Sequence, residues 1–343
     1  MKSALKIFLF NILILFLSIF IFELFFGHFF KKNNFGYIMR SERQKDQIYE
    51  VIHNGQKYKY NYKRNYHGFR GDEIDPSKIQ IVFEGGSTGN QKFTPEKLTI
   101  VGLLNSKLNK YDVQLKIINA STDGKTVKGY VNDFIHWFPK LENFYPKYFI
   151  FYIGINDSTI LETSKYDIPW RQNNFSKFKD YLKNNSKIVE LLKKAQFKYF
   201  NKGIRKEYSV TKINSNLYKN YSFIDYKKAS KIFKTKKNYD LVEQFHKRLE
   251  LLKIYINKLD FIPIFITQIN YNGLSDPNLF LINQSLKVFC KDNNYPIIKL
   301  DELVADLEIN SFYDTMHTTP KGSRKLANII YPELINIISN TSE

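Results

Sequence analysis

Five short apolar runs constrain this chain more than anything else in it. Ile79 to Phe83, Val113 to Asn119, Lys147 to Ile153, Asp260 to Thr267 and Tyr295 to Leu300 are rich in Ile, Phe, Val and Tyr. Between and after them lie stretches with helical spacing: Leu98 to Leu108 (Leu98, Val101, Leu104, Leu108), Val127 to Phe138, Pro277 to Lys291 and Lys321 to Ile338. Strands alternating with helices make βαβ units, and these assemble a parallel sheet, so the expected class is α/β. Ligands of open α/β sheets collect at the carboxyl ends of the strands. The residues that follow each run are therefore the ones to inspect.

After the first run the chain reads Glu84-Gly85-Gly86-Ser87-Thr88-Gly89-Asn90, and a helix-like segment starts near Pro95. Glycine permits a close turn that a side chain would block. Strand, tight turn and serine make Ser87 a candidate nucleophile; the alternative is a βα turn with an incidental serine. The second run ends in the polar loop Asn119 to Thr126, the third in Gly154-Ile155-Asn156-Asp157, and the fourth is followed by Gln268. Near the end stand Asp314-Thr315-Met316-His317, just before a helix. At that spacing an Asp can reach the His ring and fix its tautomer, leaving the other ring nitrogen to face a serine. Acyl transfer also needs donors for an oxyanion. The N–H groups of Ser87 and Gly124 and the side-chain amide of Asn156 are the candidates, each such donor being typically worth about 3 kcal/mol of barrier. Ser121 is a rival nucleophile that lacks the strand–Gly-Gly entry. Asp157 is read as a loop brace, and His28, His53, His67, His136 and His246 as structural.

These blocks resemble the SGNH hydrolases, also called GDSL-type esterases. Gly85-Gly86-Ser87-Thr88 looks like the family's first block and Asn119 to Thr126 like its second, with Gly124 at the oxyanion position. Gly154-Ile155-Asn156-Asp157 looks like the third and Asp314 to His317 like the last. The resemblance spans about Ile79 to Ile338, with the blocks in the family's order. It implies a three-layer α/β/α sandwich on a five-stranded parallel flavodoxin-like sheet, and metal-free ester hydrolysis through an acyl-serine. Asn65 to Glu73 is similar to the Asn-x-x-Gly-Phe-Arg-Gly run that precedes the domain in membrane-anchored members. One departure is Gly86, where many members carry Asp.

Ala4 to Phe30 is almost wholly apolar, interrupted by Lys6, Asn11, Glu23 and His28, and is long enough to span a bilayer. A cleaved signal peptide is the rival, but its apolar centre would be shorter and no Ala-x-Ala type site follows. The expectation is a transmembrane signal anchor over residues 1–30. Lys2 and Lys6 favour a cytoplasmic start, whereas Lys31, Lys32, Arg40 and Arg43 pull the other way. Long domains cross largely regardless of charge, so the body is expected outside, periplasmic or extracellular. Residues 31–76 read as an extended arm in which Tyr58 to Tyr66 alternates like an edge strand. Residues 77–343 read as the hydrolase domain, with a lysine-rich helical insertion at about 160–259, either a lid or a solvated decoration.

The chain has 343 residues, enough for one large domain plus an anchor, and a net charge of +19. Nucleic-acid binding is one explanation for that charge. The lysines, however, are spread along the whole chain without an RNA-binding or helix-turn-helix signature. A coding bias towards Lys, Asn and Ile accounts for them, with weak attraction to acidic glycans or anionic lipid as the next choice. Cys290 is the sole cysteine, so no internal disulfide forms and the compartment stays open. No metal-ligand spacing or Gly-rich phosphate loop is present, so no cofactor or metal is expected. The function expected is a serine esterase acting on a short acyl ester, with O-acetyl groups of an envelope polysaccharide as the candidate. The alternatives are an O-acyltransferase that passes the same acyl group to a glycan, and an inactive glycan-binding domain.

Overall fold

A computed structural model describes residues 2–30, 46–110, 115–162, 164–170, 173–200, 203–208, 236–271, 276–304 and 309–341. Lys31, Lys32, Arg40, Arg43, the start of the second predicted strand and much of the later insertion lie outside the described residues. The chain divides into two compact units, Met1–Arg40 with Trp170–Lys202, and Ser41–Pro169 with Gly203–Glu343.

In the larger unit, β3 (Ile81–Gly85), β4 (Ile117–Asn119), β5 (Tyr148–Ile153), β7 (Ile262–Thr267) and β8 (Ile297–Ile298) form one all-parallel sheet in the order β4-β3-β5-β7-β8. That is the flavodoxin-like order, with the direction of winding reversing at β3. Every residue of β5 is buried, as expected for a parallel strand covered on both faces. Tyr148, Ile150 and Tyr152 join the cluster of α3 (Ile100–Lys110) and α9 (Pro320–Asn340), which contains Leu104, Leu326 and Leu334. Phe149 and Phe151 point the other way, where Phe149 meets Phe134 of α4 (Val127–His136) at 4.9 Å. α7 (Lys236–Leu259) and α8 (Pro277–Asp292) complete that second layer. The architecture is an α/β/α sandwich.

The strand ends differ from the sequence pattern for identifiable reasons. β3 continues through Glu84 and Gly85, paired with Phe151 and Tyr152, because the Glu84 charge is buried against a lysine and does not end the strand. β8 shrinks to two residues at the sheet edge, pairing only with Phe265 and Ile266. The segment read as an extended arm contains a hairpin. β1 (Asp46–His53) and β2 (Gln56–Lys63) turn at Asn54-Gly55, both with positive φ (51° and 80°), which matches the twist of the strands. β6 (Ile204–Tyr208), from the insertion, pairs parallel with β1. The three strands form a second sheet with β2 at one edge. Its tyrosines pack on Phe93: the Tyr49 and Phe93 rings are 5.4 Å apart.

The smaller unit holds α1 (Lys2–Phe26), α5 (Asn174–Asn185) and α6 (Lys187–Phe200). α1 is apolar around nearly its whole circumference and is the one described helix long and apolar enough to cross a membrane.

His53 Nε2 donates to the Phe93 carbonyl at 2.8 Å, and burial holds this imidazole below its usual range. The unfolded chain therefore takes up the proton first. The contribution of His53 to stability is complete above the unfolded value of about 6.5 and is lost as pH falls through the lower folded value. His53→Gln keeps a donor without a titrating ring. In denaturant titrations the wild type should lose more stability than this variant as pH falls from about 7 to about 5; a constant difference between the two would contradict the assignment.

Candidate active site

β3 hands the chain through Gly86 into the one-turn helix α2 (Ser87–Asn90), with Ser87 as its first residue. Space, rather than backbone angle, requires glycine at position 86. Its φ of −84° suits any residue, but a Cβ there would overlap the Asn156 side-chain amide and lie 3.4 Å from the Lys125 carbonyl oxygen. The aspartate that the resembled family often carries at this place would collide with Asn156 as it sits here. Gly124 has φ +73°, and a Cβ on it would run into the Tyr166 ring, so glycine is required there on both counts.

The loop before α9 supplies the imidazole. Asp314 Oδ1 accepts from the N–H groups of Met316 (2.9 Å) and His317 (2.7 Å), while Oδ2 lies 2.7 Å from His317 Nδ1. A carboxylate on that side makes Nδ1 the donor and leaves Nε2 as acceptor. Nε2 is 2.7 Å from Ser87 Oγ, whose hydroxyl can donate to it. Burial alone would raise the Asp314 carboxyl, but its hydrogen bonds from the His317 ring and the two backbone N–H groups hold it below the usual carboxylate range. The His317 side chain keeps 21% exposure and Asp314 41%, so a substrate can reach the pair. The Tyr313 ring lies nearly parallel to the imidazole, with ring centroids 5.6 Å apart and 10° between planes.

The remaining predicted residues fall close by. Asn156 Nδ2 donates to the Lys125 carbonyl at 2.8 Å, which uses one of its two N–H groups. The Gly124–Lys125 segment and Asn156 thus sit beside the serine turn. Ser121 is fully buried beneath Gly85 and Gly89. His28 Nε2 meets Glu190 and His53 Nε2 the Phe93 carbonyl.

Sequence reasoning missed the groups that hold these loops in place. Gln91, at φ 46°, ends α2; it donates to Thr318 Oγ1 (2.8 Å) and Ser323 Oγ (2.5 Å) and accepts from Ile100 N (2.6 Å). The serine turn is thereby tied to the residue after His317. Gln268 donates to Thr88 Oγ1 (3.0 Å) and accepts from Ile155 N (2.6 Å), joining the serine turn to the Asn156 loop. Arg64 donates to Asn90 Oδ1 (3.0 Å) and to the carbonyls of Gly68 and Ser121, and Arg70 to those of Thr94 (2.6 Å) and Asn90. The Arg64–Gly71 segment therefore works as a clasp on the first two loops. Only Arg70 and the position of Gln268 carried a sequence signal, the first through the motif and the second by following a strand.

Behind the loops lie buried charges. Lys125 Nζ binds Glu84, Asp133 Oδ2 (2.8 Å) and the Ala120 carbonyl (3.0 Å), and all three charged side chains are fully buried. Asp157 accepts from Val127 N at 3.3 Å and faces Arg248 Nε at 3.0 Å; burial pushes its carboxyl up to about 7 against the pull of that arginine. Asp167 accepts from Thr126 N (2.8 Å) and Ser164 N (2.7 Å), fixing the start of α4, and burial raises its carboxyl as well.

No family model matches the chain, and no curated protein does. Among solved structures it is similar to a putative acylhydrolase from Bacteroides fragilis NCTC 9343 at 12% identity, over 77% of this chain and 88% of that one, with a TM-score of 0.39. A putative lipolytic protein of the G-D-S-L family from Desulfitobacterium hafniense DCB-2 is similar at 10% identity, over 74% and 99%, with a TM-score of 0.42. An acetylxylan esterase from Geobacillus stearothermophilus is similar at 14% identity, over 74% and 92%, with a TM-score of 0.43. At such identities and scores, function has to come from the side chains of this chain itself.

The buried charges give a direct test of the scaffold. Lys125→Met should cost about 3–5 kcal/mol in urea denaturation, because two carboxylates lose their counter-charge. Adding Glu84→Gln and Asp133→Asn should recover a large part of that loss. Absence of any recovery would mean that stem packing, rather than charge, makes Lys125 necessary.

Proposed function

We propose that this chain is a serine esterase of the SGNH kind, anchored to a membrane by its N-terminal helix. One observation carries the reading: Ser87 Oγ lies 2.7 Å from His317 Nε2, while His317 Nδ1 lies 2.7 Å from Asp314 Oδ2. In this scheme Ser87 Oγ attacks the ester carbonyl carbon as His317 Nε2 takes the hydroxyl proton. The tetrahedral oxyanion receives hydrogen bonds from Ser87 N–H, Gly124 N–H and the second N–H of Asn156. The C–O bond to the alcohol then breaks, and the imidazolium gives its proton to the leaving oxygen. Water, deprotonated by the same nitrogen, attacks the acyl-serine; the acid leaves and Ser87 regains its proton. Asp314 stabilises the imidazolium and keeps Nε2 aimed at Oγ.

The substrate we assign is a short acyl ester, with an O-acetylated envelope glycan as the candidate, on the strength of the family resemblance and the anchor. The body is assigned to the outer side of the membrane. A site of this kind needs no metal or organic cofactor.

Ser87→Ala should cut p-nitrophenyl acetate hydrolysis about 10⁴-fold or more at an unchanged melting temperature. Unchanged turnover would remove the proposal. Asn156→Ala should lower kcat by about 10²–10³ with KM nearly constant, since the amide acts on charge that develops only in the transition state. A change confined to KM would instead make Asn156 a ground-state contact.

A further inference from the structure

We propose that α5 and α6 form an interfacial platform that rests on the anionic lipid surface at the end of α1. The proposal builds on reading α1 as membrane-spanning. Three observations in the smaller unit carry it, each independent of the candidate active site.

The first is the fixing of α5 and α6 to one end of α1. The carboxylate of Glu23, three residues before the last residue of α1, accepts from Ser186 Oγ (2.6 Å), Lys187 N (2.8 Å) and Ile188 N (2.9 Å). It thus caps the N-terminus of α6 and places a charge where the helix dipole favours one. His28 N donates to the Asn185 carbonyl at 2.8 Å, Tyr181 Oη donates to the Phe29 carbonyl at 3.3 Å, and His28 Nε2 meets Glu190 at 3.3 Å. A charge inside a spanning helix is costly unless partnered. Glu23 lies about 5 Å along the axis from the helix end, so its partners sit at interfacial depth rather than mid-bilayer.

The second is the apolar face that these helices expose among the described residues. Phe175, Phe178 and Leu182 recur at i, i+3 and i+7 on α5 and are 75%, 58% and 43% exposed. On α6, Leu192 and Tyr199 recur at i and i+7 and are 63% and 69% exposed. An amphipathic helix whose apolar stripe faces outward is built to enter the headgroup boundary.

The third is charge. Residues 174–200 contain seven lysines against Asp180 and Glu190, a net charge of +5. Lys179 and Lys183 border one side of the α5 stripe at helical angles, where their stems can snorkel. Basic residues bordering an apolar stripe favour anionic over neutral lipid, and the position of this stripe at the end of an apolar helix long enough to span a bilayer makes lipid the occupant we assign.

The test uses the full chain in a Cys290→Ser background with one NBD-labelled cysteine at a time, at Phe178, Leu192, Lys194 or Ile14. Vesicles of phosphatidylcholine and phosphatidylglycerol carry nitroxide lipids with the spin label near the headgroup or at mid-chain. The expected result is strong headgroup-depth quenching at 178 and 192, weak quenching at 194 on the opposite face of α6, and mid-chain quenching at 14. Exchanging Lys183 and Lys198 for Gln should weaken the docked population about fivefold for each charge lost. Mid-chain quenching at 14 with none at 178 and 192 would overturn the platform while leaving the anchor intact. Shielding of 178 and 192 in detergent, without lipid, would overturn it by showing that a second copy of the chain covers this face. Loss of quenching at 14 would remove the anchor reading and the platform with it.

Discussion

A single hydrogen bond, from Ser87 Oγ to His317 Nε2, joins residues 230 positions apart. Several polar contacts near the sheet edge hold the two loops that meet there. A hydroxyl and an imidazole on two loops would drift by more than hydrogen-bond tolerance unless both loops were held. Gln91 links the turn of one to the residues following the other, and Gln268 links the same turn to the Asn156 loop. The parallel sheet sets the coarse position, because winding reverses at β3 and the loops after β3, β4 and β5 emerge side by side.

The supporting interactions are polar and buried. Arg64, Arg70, Lys125 and Arg248 are buried, each against carbonyls or carboxylates. Buried ion pairs contribute little net stability compared with apolar packing, but breaking one is expensive. Their value here is geometric: a carbonyl held by an arginine cannot turn to another partner. The clasp at Arg64 and Arg70 grips Gly68, Asn90, Thr94 and Ser121 at once, so the segment preceding the sheet is part of the site's support.

Much of this could be read in the residues, and the exceptions share one cause. The sheet was legible because β5 and β7 are uninterrupted apolar runs. The Asp314–His317 contact was legible because it is local, three residues apart. Ser87 was legible because two glycines and a strand precede it. The hairpin at Asn54-Gly55 was present as a turn signal but masked by the polar alternation of its strands. Glu84 hid the end of β3, because a buried carboxylate looks like a strand terminator until its lysine, 41 residues away, is known. Gln91, Arg64, Arg248 and the cap that Glu23 makes on α6 were illegible for the same reason: each is an ordinary polar residue whose partner lies far along the chain.

A covalent probe reads the proposed activation of Ser87 by His317 without any assumption about the natural substrate. Intact-protein mass spectrometry after fluorophosphonate treatment should show one adduct, mapped by peptide analysis to Ser87, and its formation should slow sharply in His317→Ala. An adduct on a different residue, or labelling that proceeds at the same rate without the imidazole, would contradict it.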